Sequence, residues 1–290
     1  MAESFLTGLI GSGIGASKSP SLHEREGERN GLRVVYRLID IDDLGLDATR
    51  TPELLNEALR MGYAGLNITH PCKQVVFQGL EEVSPEAATI GAVNTVVFDG
   101  TRAIGHNTDW IGVGRALDHD LPDVAVGEVV LVGAGGAGSA VAYALLRRGV
   151  RRLTIVDADR TRAAVLAARM NRRFAGPRAV ASDDLESALR HADGVINATP
   201  VGMPLHPGLP FPPELLAPHQ WVLDLIYVPA ETELLRTARA IGCRTMSGGA
   251  MLVFQAAEAF RLFTGTRPDA GRMLRHYQSL STCQPDPVAA

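Results

Sequence analysis

Cysteine is scarce in this sequence, and what there is forms no pattern. Cys72, Cys243 and Cys283 are the only three in 290 residues, widely separated, with no C-x-x-C pair and no clustering with histidine. That excludes a disulfide framework and a thiolate zinc site, and the cysteines read as reduced bystanders. No apolar run approaches the roughly 18 residues that a membrane-crossing helix requires. The opening MAESFLTGLIGSG lacks the basic n-region and long apolar core of a secretory signal. A cytoplasmic protein with no membrane association is expected. A cationic surplus is missing too, because 28 Lys and Arg face 32 Asp and Glu for a net charge of -4. Arg147, Arg148, Arg151 and Arg152 merely flank an expected helix end, where cations are favoured. Nucleic acid is therefore not an expected partner, since phosphate tracking needs clustered cations. Internal repeats and long low-complexity segments are likewise absent.

What is present centres on EVVLVGAGGAGSA, Glu128 to Ala140. The apolar run Val129–Val132 leads into Gly133, Gly135 and Gly138 with G-x-G-x-x-G spacing, and Ala140–Arg148 then carries a helical pattern closed by Gly149. One glycine turns the chain, one lets the backbone approach a pyrophosphate, and one lets helix and strand pack closely. The phosphates would sit at the positive end of the helix. A second apolar run, Leu153–Val156, ends at Asp157, about twenty residues beyond the loop, where an acid binds the ribose hydroxyls. The alternative is a structural glycine turn without a ligand, but strand, loop, helix, strand and acid all fall in the order that a dinucleotide site needs.

Taken in order, Phe5–Ile10 reads as a buried strand followed by the loop Gly11–Ser19. Gly11, Gly13 and Ala16 make a rival nucleotide motif, with Asp40 ending the run Val34–Ile39. Against it, Ser19 and Pro20 look like an N-cap followed by the first helical residue, so this helix starts after the glycines. Thr51–Pro52 and Ser84–Pro85 repeat that start signal. A strand at Ala64–Ile68 delivers Thr69, His70 and Lys73 to its carboxyl end, where ligands of parallel sheets bind. Val93–Phe98 and Arg102–His106 form an expected hairpin across Asp99–Gly100. His70 and His106 have neither metal nor triad spacing. The second half repeats strand and helix, with strands at Arg178–Ala181, Gly194–Asn197, Trp221–Leu225 and Arg244–Met246. The proline-rich loop Ala198–Pro213 can be neither helix nor central strand. A turn is expected at Ser247–Gly249, then helices Met251–Thr264 and Asp269–Leu280 and a disordered tail, Ser281–Ala290.

Seven blocks, read together, resemble the shikimate dehydrogenase family: SKSPSLH from Ser17, NITHPCKQ from Asn67, GAVNTVV from Gly91, GHNTDWIG from Gly105, NATPVGM from Asn197, DLIYVPAETELL from Asp224 and GGAMLVFQAAEAF from Gly248. They follow the family's order across nearly the whole chain. The resemblance implies that Lys73 and Asp109 are the catalytic pair, Lys73 acting as acid or base on the reacting hydroxyl. Partial burial makes a neutral lysine accessible for such proton transfer. It further implies Ser17 and Ser19 at the substrate carboxylate, helped by Tyr227, and Asn67, Thr69, Asn94 and Gln255 at the ring hydroxyls. The cofactor would contact Gly133, Ala134, Gly135, Gly136, Ala137, Gly138, Asp157, Thr199, Val201 and Gly248. No metal is implied.

One departure bears on the cofactor. Where NADP-dependent relatives usually carry Asn-Arg-Thr, this chain reads Asp157-Ala158-Asp159, which resembles the NAD-using quinate/shikimate branch, as does Pro200. An acid there favours a ribose diol over a 2′-phosphate. The expectation is two α/β domains: a substrate domain with a mostly parallel sheet, residues 1–110 completed by helices over about 251–280, and a Rossmann-type NAD domain, residues 111–250. NAD is expected over NADP, with shikimate or quinate as substrate, in a monomer or homodimer. The alternative is a dinucleotide-binding regulator without turnover, against which retention of Lys73 and Asp109 argues.

Overall fold

The computed structural model describes residues 3–282, and it divides them into two compact units. One runs to Thr108 and resumes at Val253; the other is Asp109–Leu252. Of the expected tail, Ser281 and Thr282 complete the last helix, while residues 283–290, with Cys283, lie outside the described part.

In the first unit, β1 (Ser4–Gly11) leads through α1 (Ser19–Arg29) to β2 (Arg33–Asp40), then α2 (Thr51–Arg60) precedes β3 (Gly65–Ile68). The short β4 (Glu82–Val83) and α3 (Pro85–Ile90) come before the hairpin β5 (Thr95–Asp99) and β6 (Arg102–His106). The sheet order is β2-β1-β3-β5-β6-β4. β1 is parallel to both neighbours and β4 to β6, whereas β5 runs antiparallel, so the sheet is mostly rather than wholly parallel. Burial explains the sequence pattern. Central β3 is buried at every residue and reads as a continuous run, while β2 at the sheet edge alternates, with Val34 and Tyr36 inward and Val35 and Arg37 outward.

The second unit opens with α4 (Asp109–Asp120) and continues β7 (Glu128–Val132), α5 (Gly136–Arg147), β8 (Arg152–Val156), α6 (Arg160–Arg173), β9 (Ala179–Ala181), α7 (Leu185–Arg190) and β10 (Gly194–Asn197). After the proline-rich loop come β11 (Trp221–Asp224), α8 (Glu233–Ile241) and β12 (Arg244–Ser247). All six strands are parallel in the order β12-β11-β10-β7-β8-β9. The strand order reverses beside β7, the switch point at which open α/β sheets bind ligands. The chain then enters α9 (Gly248–Thr264) and α10 (Ala270–Thr282).

Several local expectations change on contact with the tertiary structure. Ser19 is the first residue of α1 rather than its cap; Lys18 holds the cap position without a side-chain bond, and Ser17 Oγ accepts from Ser19 N at 3.3 Å. Thr51 is also inside its helix, bonded back to the Ala48 carbonyl at 2.6 Å, because a 3₁₀ turn capped by Asp47 precedes it. Asp99 pairs with Arg102, so the hairpin loop is Gly100–Thr101, with Gly100 supplying a φ of 61°. No turn separates β12 from α9. Gly248 starts the helix directly, and a Cβ there would lie 2.0 Å from the Leu225 carbonyl oxygen, which only glycine avoids. The rival glycine loop is occupied by its own chain, since the Asp40 carboxylate accepts from Gly13 N (3.1 Å) and Ile14 N (2.7 Å).

The C-terminal helix is tied to α1 by Glu26, only 2% exposed, whose carboxylate accepts from Asp269 N (2.8 Å), Arg272 Nε (3.0 Å) and Asn30 Nδ2 (2.9 Å). Such a buried, fully bonded carboxylate fixes a geometry more than it adds stability. His23, one turn earlier, lies among Tyr36, Phe260 and Phe263, and neither ring nitrogen has a hydrogen-bond partner. Burial lowers its pKa from 6.5 to about 3. The folded protein therefore keeps His23 neutral where the unfolded chain would protonate it. Stability is full above 6.5 and is lost progressively as the pH falls toward about 3. Between neutrality and about pH 5 this one site should cost on the order of 2 kcal/mol. Urea unfolding at the two pH values checks it: His23→Leu should show that much less loss than the parent, and equal losses would remove His23 as the cause.

Candidate functional site

In the first unit, the parallel β1 and β3 end side by side, and their ends are stitched together: Thr69 N donates to the Ile10 carbonyl (2.9 Å) and Ser12 N to the His70 carbonyl (3.0 Å). A Cβ at Gly11 would lie 2.2 Å from Thr69 Cγ2, so glycine lets the loop carrying Ser17 and Ser19 leave close to Thr69. Lys73 follows in the turn after β3 and is half-buried, its carbonyl accepting from Val93 N at 2.9 Å. Neighbouring Cys72 is fully buried, and burial raises its thiol pKa against a bond from Thr51. It is an inert core residue, as is Cys243.

The amides expected at the ring hydroxyls form one buried network. Asn67 Nδ2 donates to Thr95 Oγ1 (3.1 Å) and the Asn94 carbonyl (3.3 Å), and Asn67 Oδ1 accepts from Tyr36 Oη at 2.8 Å. Asn94 Oδ1 accepts from Thr108 N (2.7 Å), while Asn94 Nδ2 donates to Thr108 Oγ1 (2.9 Å) and Gln255 Oε1 (3.3 Å). Thus Asn67, Thr69, Asn94, Lys73 and the loop of Ser17 and Ser19 gather at one edge of the sheet, and α9 adds Gln255. Tyr36, Thr95 and Thr108 belong to this network but were not singled out by sequence. Thr95 and Thr108 lie inside the quoted blocks; Tyr36 shows only as an aromatic on an alternating strand.

In the second unit the glycine loop has the form its spacing requires. Gly133 has a φ of 103°, and a Cβ at Gly138 would stand 2.0 Å from the Gly133 carbonyl oxygen, so only glycine at 138 lets α5 pack this closely against the loop. A Cβ at Gly135 would meet nothing within 4 Å. That open space, at the N-terminus of α5 where Gly136, Ala137 and Gly138 form the first turn, suits an approaching pyrophosphate. Asp157, at the end of β8, holds the loop itself: its carboxylate accepts from Ala134 N (2.6 Å) and Asp159 N (2.8 Å).

A second brace lies at the ends of β10 and β11. Asn197 Oδ1 accepts from Thr199 N (3.0 Å) and Oγ1 (2.7 Å), and its Nδ2 donates to the Val201 carbonyl (3.1 Å) and Asp224 Oδ1 (3.0 Å). Asp224, fully buried, also accepts from Thr232 Oγ1 at 2.7 Å; burial raises its pKa and these bonds oppose the rise. The brace shapes the 198–202 segment that carries Thr199 and Val201. Gly248 meets the same edge, donating to the Ile226 carbonyl at 3.2 Å. Asp109, 5% exposed, is the first residue of α4. Tyr227 is 37% exposed, and its pKa is raised by desolvation and then by the Asp109 charge. Among the described residues no cluster of His, Cys, Asp or Glu could hold a metal, and no helix is long and apolar enough to cross a membrane.

An all-parallel sheet with a glycine loop and strand-end acid, joined to a unit carrying lysine, hydroxyls and amides at its strand ends, defines a dinucleotide-dependent dehydrogenase of two α/β units. The chain belongs to the shikimate/quinate dehydrogenase family. Residues 9–96 match the model of the shikimate dehydrogenase substrate binding domain, 116–206 that of shikimate/quinate 5-dehydrogenase, and 250–276 that of the shikimate 5′-dehydrogenase C-terminal domain. It is 55% identical to a shikimate dehydrogenase (NADP(+)) of Streptomyces avermitilis over 96% of this chain and 97% of that one. It is 48% identical to a quinate/shikimate dehydrogenase (NAD(+)) of Corynebacterium glutamicum over 97% of this chain and 100% of that one. The solved structure of quinate dehydrogenase from C. glutamicum in complex with NAD superposes with a TM-score of 0.89 at 48% identity, covering 96% and 99% of the two chains.

Proposed function

We propose that this protein interconverts the ring hydroxyl of shikimate and the ketone of 3-dehydroshikimate, using NAD(H) in preference to NADP(H), and that it acts on quinate more weakly. In this reading the first unit holds the substrate and the second the cofactor. The observation that carries it is the grouping of Lys73 with an uncharged hydroxyl and amide set at one strand edge. Such a set suits a small polyhydroxy acid, because buried polar groups left unpaired reject analogues that lack the hydroxyls. Ser17 and Ser19 bind the carboxylate, with Tyr227 assisting; Asn67, Thr69, Asn94 and Gln255 orient the ring hydroxyls. Lys73 Nζ exchanges the proton of the reacting hydroxyl, and Asp109 is the second member of the catalytic pair. The nicotinamide, when bound, supplies or accepts the hydride. Gly133 to Gly138 receive the pyrophosphate, with Thr199, Val201 and Gly248 alongside the cofactor.

Preference for NAD rests on Asp157. Its carboxylate can accept from two ribose hydroxyls, and its charge opposes a 2′-phosphate. Nicotinamide absorbance assays with shikimate and quinate, each with NAD and NADP, test the whole reading. Comparable kcat/KM for both cofactors would remove the NAD preference. Tight cofactor binding without turnover of either acid would leave the regulator reading instead.

The substrate preference rests on Ser19. Quinate carries an extra hydroxyl on the carboxylate-bearing carbon, so the residues around Ser17 and Ser19 decide whether it fits. Family members that accept quinate often have Thr at the second position. Shikimate should have the higher kcat/KM, and Ser19→Thr should raise the quinate-to-shikimate ratio by roughly tenfold, the scale of one methyl group in a shaped pocket. A parent preference for quinate, with no relative gain in the variant, would discard Ser19 as the discriminator.

A further inference from the structure

The loop that carries Ser17 and Ser19 leaves β1 at Gly11, enters α1 at Ser19, and hangs from the end of β2. Its first two residues are fixed by several neighbours: the Gly11 carbonyl accepts from Ile41 N (2.9 Å), Ser12 N donates to the His70 carbonyl (3.0 Å), and Ser12 Oγ donates to Asp42. Beyond Ser12 the holder is Asp40. Its Oδ1 accepts from Gly13 N (3.1 Å) and Asp42 N (3.2 Å), and its Oδ2 from Ile14 N (2.7 Å). Gly13 takes a φ of 62° at this point, where a side chain would be strained. Ile14 then passes the position on. Its side chain is buried with Leu9 and Tyr36, its carbonyl accepts from Ser17 N (2.9 Å), and Ser17 Oγ accepts from Ser19 N (3.3 Å).

Resting on the function proposed above, we infer that Asp40 is a positioning residue for the substrate carboxylate. It holds Gly13 and Ile14, and through the turn from Ile14 to Ser17 it sets where the Ser17 and Ser19 hydroxyls stand. A carboxylate suits the task because both of its oxygens only accept, and three backbone N–H groups converge on them. An amide has one oxygen, so whichever way it turned, its NH₂ would face Ile14 N, or else Gly13 N and Asp42 N. The donors of this glycine loop are thus spent on an internal anion, which leaves the two serine hydroxyls to meet an external one. Asp40 also puts a negative charge beside an anion-binding loop, so its electrostatic and positioning effects on an anionic substrate have opposite signs.

Asp40→Asn removes the charge and leaves one oxygen for three N–H groups, whereas Asp40→Glu keeps the charge and displaces the loop by a methylene. In both, the KM for shikimate should rise about tenfold, the scale of one lost bond to a charged group, with kcat changed less and the KM for NAD unchanged. A pure charge effect would instead lower KM in Asp40→Asn. Asp42→Asn deletes a neighbouring charge but keeps an oxygen for Ser12, and should leave the shikimate KM within about twofold of the parent. The decisive measurement is a cycle with the hydroxyls. In a Ser17→Ala, Ser19→Ala background, Asp40→Asn should change KM by no more than about twofold, because the groups it places are gone. If the amide variant does not fold, Asp40→Glu takes its place in the cycle. An undiminished rise in that background would mean general loosening of the unit and overturns the proposal. So does an unchanged or lowered KM in Asp40→Asn, an equal rise in Asp42→Asn, or failure of both Asp40 variants to fold, which would make Asp40 a stability residue. A parent that turns over neither shikimate nor quinate would instead overturn the functional reading on which the assignment rests.

Discussion

Lys73→Ala should lower kcat by about 10²- to 10⁴-fold, the usual contribution of a positioned acid or base, while NAD binds as tightly as before. The two halves of that result come from where the residue sits. Lys73 lies in the first unit, in the turn that follows β3, and its backbone is pinned through the bond from Val93 N at 2.9 Å. The glycine loop and Asp157 belong to the other unit. Removing the ammonium therefore takes away the group proposed to exchange the hydroxyl proton and leaves the nucleotide loop intact. Asp109→Ala should also impair turnover, as its proposed place in the catalytic pair requires. Steady-state kinetics at saturating shikimate, with NADH affinity followed by fluorescence, measures both halves. A near-normal kcat for Lys73→Ala would end its assignment as acid or base, and a large loss of NADH affinity would show a structural effect instead.

The cofactor exchange should be nearly as large. Asp157→Asn with Ala158→Arg should move the NADP-to-NAD ratio of kcat/KM by about 10²-fold, since a repulsive charge is removed and a charge-assisted phosphate bond is supplied. The nearby arginines do not already provide it, because each has its own carboxylate: Arg160 pairs with Asp183 at 2.7 Å and Arg162 with Asp159 at 3.6 Å. The Asp157 carboxylate also accepts from Ala134 N and Asp159 N, so an amide in its place would turn an N–H toward one of those two donors. Asp157→Asn alone should therefore weaken NAD as well as relieve NADP, and only the pair should give a good NADP enzyme. Kinetics of both single variants and the double with each cofactor decides it. A parent equally fast with NADP, or a double variant with an unmoved ratio, would place cofactor choice elsewhere.

Local order was legible in the chain wherever neighbouring residues suffice to specify it. Gly194–Asn197 is a strand as expected, Ser84 caps α3 by accepting from Ala87 N, and Gly133 to Gly138 turn the chain as the G-x-G-x-x-G spacing demands. These features rest on backbone preference, side-chain period and capping within a few residues, all of which a linear sequence displays. The candidate site residues came from blocks of sequence and a family resemblance, because a lone lysine or asparagine has no period to mark it. What only the tertiary structure decided is the set of long-range contacts. Tyr36 meets Asn67 because β2, β1 and β3 are neighbours in that order, Gln255 reaches Asn94 across 161 residues, and Gly248 is glycine because of the Leu225 carbonyl rather than any turn. Asp40 and Asp157 end strands in the same manner, yet one helix begins within its glycines and the other after them. The sheets bring together groups whose separation in sequence carries no signal, and buried polar atoms then find partners by geometry, since leaving them unpaired costs about 1–3 kcal/mol each.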